Sequence, residues 1–183
     1  MTVAARDLDL VAEFLNTLDE RTFTRYGENH VATDGLTSID AFAAWMEARD
    51  LGDSGAALHS ADLQAARTLR TSLRATLTAA ASGDEVDDSA RQLLAGFPLH
   101  LVPDSSSRLR ITAASGVPGL DVIVEAVATN VAAGRWHRLK LCASVDCRWA
   151  FHDTSRSGGG RWCSMDICGN RHKTRAYRRR ATS

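Results

Sequence analysis

All four cysteines of the chain fall in one short window, as Cys142, Cys147, Cys163 and Cys168, with the spacing C-x4-C-x15-C-x4-C. Two similar pairs joined by a short loop are what a tetrahedral thiolate site needs. Each pair makes a small chelate ring, and the loop lets the second pair close the cage. Thiols absent from the first 141 residues and then clustered in pairs point to one structural zinc ion per chain rather than four separate buried thiols. In a reducing compartment the same pattern favours a metal over disulfides. Four thiolates fill the coordination sphere, so the site reads as closed and structural, not catalytic. His137, His152 and His172 are then left as packing or phosphate-facing residues. Geometry adds a constraint: Zn–S bonds near 2.3 Å put the sulfurs roughly 3.8 Å apart, whereas residues five apart in a regular helix point about 140° away from each other. Cys163 is therefore expected to end a strand or turn, and Cys168 to sit in the first turn of the helix that follows.

That helix is the second chemical feature. Asn170, Arg171, Lys173, Arg175, Arg178, Arg179 and Arg180 follow Cys168, and positions 171, 175 and 178 recur on one helical face as a row of cations. Residues 135–183 hold 12 lysines and arginines against three aspartates, a formal +9; the whole chain is neutral, so the remainder carries −9. Such asymmetry suggests an anion-facing module on a neutralising body. Charge alone leaves duplex DNA, RNA and a merely solvated tail open. A zinc tetrathiolate is formally −2, so part of the helix's charge is expected to neutralise the cage. Trp149 and Trp162 are expected to pack around the metal and Tyr177 to offer a stacking contact. Asn170 reads equally as a helix-capping or metal-supporting residue and as a base contact. No nucleophile–base pair, paired carboxylates or phosphate loop stands out, so no enzyme is expected.

These groups need a scaffold. The chain has 183 residues, 44% of them hydrophobic, enough for one moderate domain or a main domain with a small appendage. Leu8, Val11, Leu15 and Leu18, widened by Leu10 and Phe14, mark an amphipathic helix. The polar stretch 21–35 reads as a loop that could cover a small-molecule pocket. A capping box from Thr37 to Asp40 opens a second helix with Phe42, Trp45 and Met46 on its buried face, ended by "LGDSG". A longer helix starts at Ser60, carries Leu63, Ala66, Leu69, Leu73, Leu77 and Ala80, and stops at Gly83. A weaker one covers 87–95. "FPLHLVP" and "RLRIT" read as a β-hairpin, and Pro118 opens a helix with Leu120, Ile123, Val124, Val127 and Val131, closed by Gly134. "RWHRLKLC" reads as a strand into the first cysteine, and "RWAFHDTS", a glycine-rich turn and "RWC" as a hairpin between the cysteine pairs. The fold class is mainly α (α+β): a helical body over 1–134 with one short hairpin, then a zinc module over 135–183 made of a β-hairpin and a basic helix. The N-terminal segment MTVAARDLDLVAEFLN lacks a basic region followed by an unbroken apolar block, so no secretory signal is expected. No membrane-spanning run appears either, and a cytoplasmic protein is expected.

"WCSMDICGNRHKTRAYRRR", with its literal Cys168-Gly169-Asn170-Arg171 and the upstream C-x4-C, resembles the CGNR zinc finger of bacterial proteins, which usually carry it behind an ABATE domain. The body is similar to that domain too: "LDLVAEFLNTLD" matches its N-terminal helix with an Asn-Thr pair (Asn16, Thr17), and Trp45 and "LRTSL" fall where such domains carry a tryptophan and a Leu-Arg helix. The resemblance implies a one-component transcription regulator, with a helical sensing or dimerising domain and a zinc-supported element for double-stranded DNA. A homodimer through the N-terminal body and a small-molecule effector there are the further partners expected. The alternatives are a zinc-stabilised protein- or RNA-interaction module, and a thiol or metal sensor.

Overall fold

A computed structural model of the protein describes residues 8–25, 27–52 and 57–181, and the side chains of Arg179 and Ala181 lie outside the described residues. So do positions 1–7, which hold the first part of the segment weighed as a secretory signal, and 53–56, part of the expected helix stop. The architecture is α+β, as the sequence predicts. Six helices and four two-stranded ladders are described, and every ladder is antiparallel.

Helix α1 (Leu8–Leu15) buries Leu8, Val11, Phe14 and Leu15. It stops one turn short of Leu18, because Leu18 enters a strand instead. The stretch expected to be a loop is two nested ribbons: β1 (Leu18–Asp19) pairs β4 (Thr33–Asp34), and inside it β2 (Thr24–Arg25) pairs β3 (Glu28–Asn29). Two-residue ladders are too short to show period-two alternation, so periodicity could not find them.

Helix α2 (Ile39–Glu47) is capped one residue later than expected. Ser38, not Thr37, occupies the N-cap, and its Oγ accepts the Ala41 N–H at 3.1 Å. Helix α3 (Ser60–Ser82) is the central strut. Asp62 Oδ2 accepts the His59 N–H at its start (2.7 Å), and Gly83 ends it at a φ of 77°, a left-handed conformation that costs glycine nothing. Helix α4 (Asp88–Leu94) is capped by Asp87. Strands β5 (Leu99–Pro103) and β6 (Leu109–Ala113) form the expected hairpin. Helix α5 (Pro118–Ala132) opens on its proline as expected and lies against α1 and β6.

The expected long strand "RWHRLKLC" is shorter. Residues Trp136–Arg138 make one 3-10 turn, and only β7 (Leu139–Leu141) is extended. Strand β8 (Ala150–His152) pairs with β7, with Leu141 opposite Ala150. The hairpin therefore lies around the first cysteine pair, not between the two pairs as the sequence predicts. The reason is which strand can be buried. Leu139, Leu141 and Ala150 are at most 6% exposed and join the main core with Phe14, Phe42, Leu120 and Ile123, whereas 161–163 offers no such apolar pair.

Two arginines inside the protein tie α3 to the ribbons. Arg70, 3% exposed, reaches Asp34 through both terminal nitrogens (2.6 and 2.7 Å) and also donates to Thr17 Oγ at 3.0 Å. Arg74 donates to the Leu15 and Arg148 carbonyls and pairs with Glu20. Burial disfavours the charged form of Arg74 and lowers its pKa, although Glu20 opposes that. Removing one partner of such a pair leaves a buried charge uncompensated. Asp34→Ala should therefore destabilise the protein by about 3 kcal/mol in urea unfolding at pH 7. The Asp34 carboxyl is held below its usual range by Arg70, burial opposing, so its stabilisation is complete above the unfolded carboxylate value and fades as the pH falls through the lower folded one. Asp34→Asn should flatten that acid limb, measured as unfolding free energy against pH.

Candidate metal centre

The turn leaving β7 carries Cys142, and Cys147 follows where the chain comes back toward β8. The backbone N–H groups of Ser144 and Cys163 favour the Cys142 thiolate, and that of Trp149 favours the Cys147 thiolate. Cys163 sits at a bend, as predicted. Cys168 lies in a π-helical turn (Met165–Gly169) that leads into α6 (Asn170–Ala181), and Ser164 Oγ caps that turn by accepting the Ile167 N–H at 3.3 Å. The wider turn is how five-residue spacing meets tetrahedral geometry: its extra residue swings Cys168 back toward Cys163.

All four sulfurs lie within 4.8 Å of one another, with Cys147–Cys163 at 3.7 Å and Cys163–Cys168 at 3.8 Å. A tetrahedron with Zn–S bonds near 2.3 Å has edges of roughly 3.8 Å. Cys142, Cys147 and Cys168 are at most 1% exposed; Cys163 is half-buried. Left to themselves, four thiols this close oppose one another's ionisation. Hydrogen bonds from Cys147 and Cys163 bring the Cys142 pKa down to about 2, while bonding to Cys142 pushes Cys147 up to about 12 and Cys163 further still. A divalent cation removes that conflict by binding all four as thiolates. The donor set fits one structural zinc, with no open coordination position.

The cage has a wall that sequence reasoning missed. Phe23, from the ribbon near the N-terminus, is 7% exposed and packs in one cluster with Cys142, Cys147 and Cys168, beside Trp149, Trp162 and Ile167. Both tryptophans stand where they were expected. Arg21 stacks on Trp149 at 4.0 Å and is drawn electrostatically to Cys147 and Cys163, its main partner being Asp19. A cation that leans on the cage thus comes from the body, where the sequence analysis looked only to the C-terminal helix. The only signal in the sequence was an arginine and a phenylalanine inside an otherwise polar stretch.

Three more contacts lock the cage to the body. Asn16 takes both polar positions of Ala150 with its side-chain amide: Nδ2 donates to the Ala150 carbonyl (2.9 Å) and Oδ1 accepts its N–H (2.7 Å). It thereby acts as one more strand residue beside β8. Arg74 donates to the Arg148 carbonyl at 3.0 Å, and the Thr22 N–H donates to the Asp146 carbonyl at 3.0 Å.

The glycine-rich turn is tied to the hairpin by Asp153, which is 4% exposed. Burial works against its charge, but Lys140 (2.7 Å) and the N–H groups of Ser155 and Gly160 hold its carboxyl well below the usual range. A Cβ on Gly160 would stand 2.8 Å from that carboxylate, so only glycine fits.

Among the cations expected to face a polyanion, Arg171 and Arg175 share one carboxylate. Arg171 pairs with Asp146 and lies 3.8 Å over the Phe23 ring; Arg175 reaches the same carboxylate at 2.8 Å. Burial alone would raise the Asp146 pKa, but Ser144, Arg175 and Arg171 together hold it low. Asn170, Lys173, Arg178 and Arg180 are exposed, as is Tyr177. His172 stacks on Trp162 with ring centroids 4.7 Å apart and, with Arg175 and Arg178, faces Ala143, Ser144 and Val145 across a groove of about 560 Å³. His137 and His152 hold to Gly134 and Asp9 and stay outside the cage.

A small module closed by four thiolates and followed by a basic helix is a zinc finger. Two family models match the chain. The CGNR zinc finger covers residues 138–181, and ABATE, described as "Putative stress-induced transcription regulator", covers residues 8–141. The chain belongs to the ABATE family and carries a CGNR zinc finger. No curated protein matches it significantly. The two matches overlap on β7, the strand that lies in the main core and leads into the first metal-binding cysteine.

Purified protein is expected to hold one zinc per chain by elemental analysis. Cys163→Ser should drop zinc well below one equivalent. The contact with Phe23 means the loss should spread: hydrogen exchange should quicken most in 18–34 and 142–181, and to a smaller extent in α3.

Proposed function

We propose that the protein regulates transcription by docking duplex DNA on its zinc module, with α6 and the facing cysteine turn supplying the phosphate contacts. The observation that carries this is the groove between the turn and the helix, lined by His172, Arg175 and Arg178, on a module of formal charge +9. Backbone phosphates are the polyanion that such a basic concavity suits. Exposed Lys173 and Arg180, and Arg179 from the sequence, extend the same contact. Asn170, exposed at the first residue of α6, is the best placed to meet a base edge. Arg171 takes a different part: bound to Asp146 and Phe23, it sets the direction of α6. The acidic body turns away from DNA and leaves the zinc face to approach it. An effector, in this reading, occupies the cleft of about 620 Å³ where α1 and the ribbons meet β8, walled by Trp45 and Trp149. Asn16, which lines it and holds β8, would transmit occupancy to the cage. The reading is not enzymatic, in keeping with a regulator family and a closed metal site. No helix among the described residues is long and apolar enough to cross a membrane.

Each phosphate neutralised contributes about −0.9 to the log–log dependence of affinity on salt, so four to six contacts give a slope of roughly −4 to −5. Replacing Lys173, Arg178 and Arg180 together by Ala should flatten the slope by about 2–3 and leave zinc content unchanged. Arg171→Ala should weaken binding to all duplexes alike and lower the melting temperature of the module. Fluorescence anisotropy across a salt series reads both. A triple variant with the parent's affinity and slope would move the partner away from this helix.

A further inference from the structure

Strands β5 and β6 leave an unusual surface uncovered. Their register sets Leu99 opposite Ala113, Leu101 opposite Ile111 and Pro103 opposite Leu109. Directly opposed residues share a face, and alternate residues return to it. One side of the hairpin is therefore apolar at every position, and the other carries His100, Val102, Arg110 and Thr112. Such alternation is what a strand shows when one side is meant to be buried. Only the root is covered: Ala113 packs on the main core. Beyond it Leu101 is 70% exposed and Leu109 71%, with Leu99 and Ile111 near one half.

We infer that this apolar face is where a second copy of the chain docks, the two hairpins packing face to face about a two-fold axis. Two observations favour the same chain over a different partner. The face carries no charge that would need an answering pattern, and the turn at its tip holds both signs, Asp104 bonded to Arg110 with Arg108 beside it. Two hairpins related by a two-fold axis that runs along their length set each turn against a like turn, where opposite signs meet. Area agrees. The four residues expose roughly 400 Å² per copy, so two copies remove roughly 800 Å², near the apolar share of a standard interface of about 1,600 Å². A patch of that size matches the largest on a typical monomer, and such patches are often functional. The expected dimerisation through the N-terminal body thereby acquires a surface, one that does not depend on the DNA reading.

The test is sedimentation velocity of the full zinc-loaded chain, without DNA, from about 1 to 100 µM, a range that spans the weaker specific interfaces. The parent should sediment at twice 19.8 kDa at the upper end. Leu101→Glu with Leu109→Glu should sediment as a monomer throughout. Both positions are exposed in the single chain, so circular dichroism and zinc content should match the parent. His100→Glu, on the polar side of the same hairpin, should remain dimeric. A parent that stays at 19.8 kDa overturns the proposal and leaves the hairpin to another protein. So does a double variant that still dimerises, or a His100→Glu variant that does not.

Discussion

Four sulfurs held within 4.8 Å repel one another once ionised, and the fold around them depends on a divalent cation that turns this repulsion into a cross-link. With it, four chain segments meet at a point: the turn after β7, the return to β8, the bend at Cys163 and the π-helical turn before α6. The last of these fixes where the basic helix starts, and Asp146, from the same cysteine turn, fixes its direction through Arg171 and Arg175. The surface offered to a partner is thus set by coordination geometry and one half-buried carboxylate.

The same centre is shared with the body. Phe23 closes one side of the cage, Arg21 answers its charge, Asn16 extends β8, and Arg74 holds the Arg148 carbonyl from α3. Zinc fingers that stand alone are folded by their metal and little else. Here the hairpin that carries the first cysteine pair also belongs to the main hydrophobic core through Leu139, Leu141 and Ala150. Anything that changes the cleft beside Asn16 therefore acts on a strand that is already part of the metal centre's support.

The sequence made legible what is local. Apolar spacing marked α1, α3 and α5, Gly83 and Pro118 marked ends and starts, and the paired cysteines announced the metal with the correct demand that Cys163 stand outside the helix of Cys168. It could not show what depends on distant partners. Ribbons of two-residue strands carry no periodicity, so 18–34 read as a loop. The choice of β7 over 161–163 as the partner of β8 was decided by burial in a core built mostly from other elements. Arg171 read as an outward cation because Asp146, 25 residues earlier, and Phe23, far upstream, lie beyond any helical spacing. Arg21 went unnoticed for the same reason. The exposed apolar side of β5 and β6 was visible as alternation, but only the register showed that both strands turn their apolar residues the same way.

The central claim is that the metal cage and the helical body form one cooperative unit. Differential scanning calorimetry of the zinc-loaded chain, before and after chelation, tests it most directly. One endotherm is expected with zinc bound, and removal should lower the transition of the whole chain by more than about 10 °C, since each lost kcal/mol moves a protein of this size by about 2–4 °C. A body transition that stays at the same temperature after the zinc has gone would contradict the claim.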